Sequence, residues 1–106
     1  MEKRDAIRND IQVIINFNFE NHEKVVEAKS RNISETGMFI DVEPEILELM
    51  NIGESIVTYT EYQQDLFLKT CGYLVRIDTT SDISGFAMKY LDLTDVQQNI
   101  IQSCLI

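Results

Sequence analysis

Two short groups of polar residues carry the side chains best suited to bind a ligand. Arg4 and Arg8 lie four residues apart near the start of the chain, and a second group, Asn-Ile-Ser-Glu-Thr-Gly, spans residues 32–37. An arginine guanidinium holds its donors in a planar fork, which grips phosphate oxygens in pairs. The same fork matches the O6 and N7 acceptors of guanine. Together with amide and hydroxyl groups, these residue types fit a guanine nucleotide.

Each group also has a simpler interpretation. Two arginines in a polar terminal segment are most often solvated surface, and Asn and Ser side chains commonly bond to nearby backbone in a structural turn. Gly37 fits either interpretation, because glycine tolerates a positive φ and lets backbone come close to a ligand. A nucleoside triphosphate is a poorer match, since the chain has no GxxxxGK(S/T) phosphate loop.

The hydrophobic pattern predicts the elements that position these groups. Apolar residues alternate with polar ones from residue 11 to residue 19, which is typical of a half-buried strand. Further strand-like runs lie at 24–34, 38–42, 55–62, 66–77 and 85–91, and a short helical stretch follows Pro44. Short antiparallel strands at this spacing predict a small β-barrel or sandwich.

The C-terminal residues change to helical spacing. The apolar positions are Val96, Ile100, Ile101, Cys104 and Leu105. Thr94 and Gln97 stand at capping-box spacing before them, so we expect an amphipathic helix packed on the barrel. Cys71 in a strand and Cys104 on this apolar face lack metal-ligand spacing, and we expect both to be buried, reduced thiols.

The first hairpin brings the two polar groups together. A turn centred on residues 21 and 22 pairs strand residues whose numbers add to 43, which puts Arg8 near the level of Ser34. A register error of one or two residues does not change this neighbourhood. The N-terminal segment is therefore expected to emerge beside the turn at 32–37, so that both groups form one site.

Composition narrows the class of protein. The chain has 106 residues, 44% of them hydrophobic, which predicts one globular domain. Its 9 basic and 18 acidic residues give a net charge of −9, which argues against nucleic acid polymers and anionic membrane surfaces as partners. There is no apolar run of membrane-spanning length and no signal-like start, so we expect a cytoplasmic protein without membrane insertion.

Catalytic chemistry finds little support in the sequence. The chain has one histidine, His22, and two cysteines, so neither a zinc site nor a Ser-His-Asp triad is expected. No nucleophile and base stand at workable spacing, and we expect a protein that is not an enzyme.

The two polar groups together resemble the paired signature of PilZ domains, bacterial receptors for the second messenger cyclic di-GMP. Arg4 and Arg8 match its RxxxR element, and Asn32, Ser34 and Gly37 match its (D/N)xSxxG element. Two later runs, GYLVRI and GFAMKYL, also resemble family strands. The resemblance covers nearly the whole chain, and it implies a six-stranded antiparallel β-barrel with a C-terminal α-helix.

The resemblance also implies residue roles. Arg4 and Arg8 would hold the phosphates and the guanine Hoogsteen edges, Asn32 and Ser34 would contact a guanine base, and Gly37 would shape the turn. Two more arginines, Arg31 and Arg76, are candidate additional contacts. Carboxylates in the N-terminal segment and in the turn oppose capture of the dianionic ligand.

The function implied is that of a receptor and adaptor. Residues 1–10 would form a switch arm and residues 11–106 the barrel. Binding would order the arm and create a surface for an unidentified protein partner in motility, biofilm or pilus control. The alternative is an interaction adaptor of the same fold that binds no nucleotide. No cofactor beyond the ligand is implied, and both a monomer and a homodimer remain open.

Overall fold

The protein is a closed barrel of six antiparallel strands. The computed structural model describes residues 12–20 and 24–106. The strands are β1 (Ile14–Phe19), β2 (Val26–Ile33), β3 (Gly37–Asp41), β4 (Ser55–Gln63), β5 (Leu66–Thr79) and β6 (Ser84–Tyr90). They neighbour one another in the order β1-β2-β3-β6-β5-β4, and β1 pairs with β4 to close the ring. The mainly β, barrel prediction is confirmed.

Two helical segments accompany the barrel. The short helix α1 (Pro44–Leu47) follows β3, and α2 (Asp95–Ile100) continues into a π-helical turn (Ile101–Leu105). The capping box is confirmed, because Thr94 Oγ1 accepts from the Gln97 amide at 3.1 Å and Gln97 Oε1 accepts from the Thr94 amide at 2.8 Å. Within the described residues, no helix is both long and apolar enough to cross a membrane.

The predicted register of the first hairpin is confirmed. Strand β1 pairs Ile14 with Lys29 and Phe17 with Val26, so partner numbers add to 43. The pairing continues one step beyond the strand, where the Ser30 amide donates to the Val13 carbonyl at 3.0 Å. The chain at residues 12 and 13 therefore lies beside the end of β2 that leads into the 32–37 turn.

Alternation along the strands builds the core. The largest fully buried side chains include Phe17 and Phe86, whose rings meet edge to face with centroids 5.1 Å apart. Ile101 and Leu105 of the π-helical turn are each 1% exposed and belong to the same cluster. The terminal helix therefore covers the barrel core with these two side chains, as the sequence predicted.

Three expectations about burial are wrong. Cys71 is exposed, because the strand alternation that turns Thr70 inward turns its neighbour outward. Cys104 is exposed because the π-helical turn directs Ile101 and Leu105 to the core and leaves the three residues between them at the surface. Val96 is 68% exposed.

Val96 is exposed because a polar neighbour fixes the first turn of α2. Gln97 Nε2 donates to the backbone oxygen of Lys69 in β5 at 2.6 Å, so the half-buried side chain of that turn is Gln97. Helical spacing in the sequence predicted that the apolar Val96 would face the barrel. In the structure the capping residue Gln97 contacts β5 instead.

Candidate ligand-binding site

A cleft of about 180 Å³ on the outside of the barrel collects most of the candidate residues. Asn32, Ser34, Gly37 and Arg76 all line it, although they come from β2, the following turn, β3 and β5. We call it the outer cleft. The remaining primary candidates, Arg4 and Arg8, lie outside the described residues.

A bulge in β2 turns Asn32 toward the cleft. Ser30 stands opposite Ile40 and Asn32 stands opposite Phe39, so Arg31 is an extra residue in the ladder. Regular alternation would place Asn32 on the same inner face as the fully buried Ser30. The extra residue reverses that alternation and brings the Asn32 side chain to the outer face.

A second bulge, in β5, does the same for Arg76. Leu74 stands opposite Met88 and Arg76 opposite Ala87, so the ladder shifts by one residue at Val75. The buried Leu74 faces the core, and Arg76 faces outward. The two bulges flank the central pair of strands at the same level.

The result is a continuous row of outward residues across four strands. Asn32 is opposite Phe39, Phe39 is opposite Ala87, and Ala87 is opposite Arg76. Neighbouring strands lie about 4.8 Å apart, so the row measures about 14 Å from end to end. A polar amide and a guanidinium thus stand on either side of an apolar floor.

Phe39 and Ala87 form that floor. The Phe39 ring is 4% exposed although it lies outside the core cluster, and the Arg76 guanidinium carbon lies 5.8 Å from its centroid. This distance is within the range of a cation–π contact. Ala87 is half-buried, so the middle of the row is apolar, and the Phe39 ring within it is covered.

Ser34 holds the shape of the turn. Its side-chain oxygen accepts from the Thr36 amide at 3.2 Å and from the Gly37 amide at 3.3 Å, and the Ser34 amide donates to the Gly37 carbonyl at 2.9 Å. Ser34 is only 5% exposed. The structural role of this serine is therefore present alongside its place in the cleft wall.

Gly37 does not use the positive φ that glycine permits. Among the glycines, all of which are described, only Gly53 has a positive φ. A Cβ at Gly37 would instead overlap the carbonyl oxygen of Met88 in β6. On the other side of β6, a Cβ at Gly72 would overlap the carbonyl oxygen of Lys89. Glycine is needed at both positions because neighbouring strands approach β6 closely there.

Lys89 is a cleft residue that the sequence reasoning missed. It stands opposite Gly37, is exposed, and lines the cleft. Strand alternation in GFAMKYL was a usable signal, because it places Lys89 on the same face as Ala87. Among the described residues no carboxylate pairs with Lys89, whereas Arg76 Nε lies 3.0 Å from Asp78 Oδ2.

Arg31 is held beside the cleft and not in its lining. Its Nε lies 2.9 Å from Asp41 Oδ1, and both side chains are partly exposed. The bulge that turns Asn32 outward is thus anchored to the end of β3 by this ion pair.

Comparison with known proteins gives one family and one fold. The model of the PilZ domain matches residues 2–106. The Bacillus subtilis inhibitor of motility MotI/DgrA superposes with a TM-score of 0.78 at 18% identity, covering 99% of this chain and 50% of that one. This chain thus spans half the length of MotI/DgrA.

Two further solved structures share the fold. The PilZ domain of YcgR from Escherichia coli, solved with c-di-GMP, has a TM-score of 0.71 at 10% identity, covering 95% of this chain and 87% of that one. The PilZ domain of CeSA from a cellulose-synthesizing bacterium has a TM-score of 0.69 at 10% identity, covering 93% of this chain and 95% of that one. No curated protein matches the chain.

Proposed function

The chain belongs to the PilZ domain family, and on that premise we propose that it is a cyclic di-GMP receptor that acts as an adaptor for a protein partner. One observation carries the proposal. Asn32, Arg76 and the turn from Ser34 to Gly37 come from separate parts of the sequence and line one cleft. Two bulges are needed to bring them there, and bulges of this kind commonly re-aim side chains next to functional sites.

The chemistry of the cleft suits this ligand. Cyclic di-GMP presents flat guanine bases and two anionic phosphodiesters. A base would lie along the apolar row of Phe39 and Ala87 after displacing Arg76 from the Phe39 ring. The amide of Asn32 in the same cleft would bond to the base edge. Arg76 and Lys89 supply positive charge on the opposite side. The dianion would thus meet local cations on a chain whose net charge is −9.

The N-terminal arginines complete the proposed site. The described chain at Val13 pairs with Ser30, two residues from Asn32, which supports assigning the N-terminal arginines to the same site. We propose that residues 1–10 act as a switch arm on the barrel of residues 11–106. Arg4 and Arg8 would close over the bound phosphates, and ordering of the arm would be the signal passed on.

Isothermal titration of the full chain with cyclic di-GMP, with GTP as the control ligand, tests the proposal. We expect saturable binding of cyclic di-GMP only. Arg8→Ala and Asn32→Ala should each weaken binding about tenfold or more, because a good contact to a base is worth about 1–3 kcal/mol. Asn16→Ala, on the outer face of β1, is the matched control and should bind like the parent. Parental affinity in Arg8→Ala would show that the assigned site is wrong.

A second candidate is an interaction adaptor that binds no nucleotide. The engagement of the Ser34 hydroxyl within its own turn favours it, because the (D/N)xSxxG element is then stable without a ligand. Absence of binding in the titration, with partner capture that ignores nucleotide, would support this candidate. In either case we propose a cytoplasmic role in motility, biofilm or pilus control, and the likeness to a motility inhibitor favours motility.

A further inference from the structure

A larger groove, of about 600 Å³, lies at the opposite end of the strands that carry the outer cleft. It forms where the start of β2, the end of β3 and the start of β6 meet α1. The half-buried side chains of Val26 and Ile46, together with Pro44, give it apolar walls. We call it the acidic groove because of the residues on its edge.

The charge on that edge has one sign. Glu27, Asp41 and Glu43 line the groove, and no lysine or arginine is among the described residues that do so. Asp41 is paired with Arg31, but Glu27 and Glu43 are exposed and have no ion-pair partner in the described part of the chain. The groove thus combines apolar walls with two uncompensated carboxylates.

We propose that the acidic groove docks a segment of a partner protein in which apolar side chains alternate with lysine or arginine. Apolar side chains on an open protein surface gain free energy when a partner removes them from water. Lysine or arginine on the same segment would pair with Glu27 and Glu43, which selects the segment and speeds its approach. The net charge of −9 acts in the same direction over longer distances.

The charge also selects among other occupants. A second copy of this chain would bring another net charge of −9 to the groove, so self-association is opposed by repulsion. A metal ion would find carboxylates on the edge but apolar side chains on the walls. A basic and apolar peptide satisfies both parts of the surface.

The test uses a defined probe and the full chain labelled with nitrogen-15, without nucleotide, so that its outcome is independent of the proposed ligand. The probe is a 14-residue amphipathic peptide of lysine and leucine, and the control peptide has glutamate in place of each lysine. We expect amide shifts at Val26, Glu27 and the residues of α1 with the first peptide and none with the second.

Matched variants distinguish binding of the peptide in the groove from its attraction to the net negative charge of the protein. E27Q with E43Q should weaken binding of the lysine–leucine peptide about tenfold. E61Q with D92N removes the same amount of charge from β4 and from the loop before α2, and should change the affinity less than twofold. Equal weakening by both double variants would reduce the effect to net charge and overturn the proposal. The proposal would also be overturned if the peptide did not bind, or if it shifted amide signals away from the groove. Amide shifts in the groove that appear when the protein alone is concentrated would overturn it as well.

Discussion

Lys89 and Arg76 differ in how much of their charge is free to act on a ligand. Arg76 already has Asp78 at 3.0 Å and the ring of Phe39 beneath it. Lys89 has no carboxylate partner among the described residues and faces the same cleft. A phosphate that enters the cleft can therefore pair with Lys89 without first displacing an internal partner.

We expect Lys89→Gln to weaken cyclic di-GMP binding roughly two- to fivefold, because an exposed ion pair is worth up to about 1 kcal/mol. Lys69→Gln is the matched control, since Lys69 is an exposed, outward lysine of β5 that does not line the cleft. Raising the salt concentration should weaken the parent more than the variant. Equal affinities for the parent and Lys89→Gln would remove Lys89 from the site.

Tyr90 is half-buried, and its hydroxyl group is expected to lower the stability of the fold. Its OH is buried and has no hydrogen-bond partner in the described part of the structure. Tyr90→Phe should therefore stabilise the protein by about 1 kcal/mol, since an unsatisfied buried polar group costs about 1–3 kcal/mol. Chemical denaturation at pH 7 measures this, and Tyr59→Phe, on the outer face of β4, is a control expected to be near neutral.

The same residue gives a prediction about pH. Burial raises the pKa of Tyr90 far above its ordinary value of 10.0. The folded state therefore keeps a proton that the unfolded chain loses above pH 10, and this contribution to stability, complete below pH 10, declines as the pH rises further. The loss approaches about 1.4 kcal/mol per pH unit. Tyr90→Phe should lack this component, so its advantage over the parent should widen above pH 10. A constant difference would contradict the assignment.

At the scale of elements, close strand approach sets the geometry of the cleft. Gly37→Ala should destabilise the protein by about 2 kcal/mol or more, because the new Cβ overlaps backbone of β6 that cannot move independently. Gly53 provides a contrast, since its φ of 91° is positive and nothing lies near a Cβ there. Asparagine tolerates such a φ, so Gly53→Asn should destabilise the protein less than Gly37→Ala does. Thermal unfolding of both variants and the parent measures the difference. A mild effect of Gly37→Ala would mean that β3 and β6 can separate.

The elements also show which features local sequence can specify. A turn centre expected at residues 21 and 22 predicts that partner numbers add to 43, and Ile14 does stand opposite Lys29. The bulges at Arg31 and Val75 were not predictable, because a bulge depends on how a strand fits both of its neighbours. Asn32 and Arg76 were identified as candidates by type and family resemblance, but their shared row across the barrel became visible only in the structure.

At the scale of the whole molecule, the outer cleft and the acidic groove occupy opposite ends of the same strands. Both include residues of β2, β3 and β6, and the ion pair between Arg31 and Asp41 stands between them. Arg31 adjoins Asn32 of the cleft, and Asp41 lines the groove. One exposed ion pair therefore connects a site that should attract anions to a surface that should attract cations.

This arrangement predicts coupling between the two ligands. A bound phosphate that draws Arg31 toward the cleft would release Asp41 and give the groove a third uncompensated carboxylate, so the lysine–leucine peptide should bind several-fold more tightly when cyclic di-GMP is saturating. Peptide titrations with and without nucleotide measure the effect, and by linkage the peptide should tighten nucleotide binding by the same factor.

Arg31→Gln separates this route from simple attraction to a bound dianion. It should tighten peptide binding without nucleotide, because Asp41 is already free, and it should abolish the further gain on adding cyclic di-GMP. Asp41→Asn should also abolish the gain in peptide affinity on adding cyclic di-GMP. Without nucleotide it should bind the peptide more weakly than Arg31→Gln does, because the groove has lost a carboxylate. If the gain persists in Arg31→Gln, the negative charge of the nucleotide itself draws in the peptide, and the ion pair is not the connection.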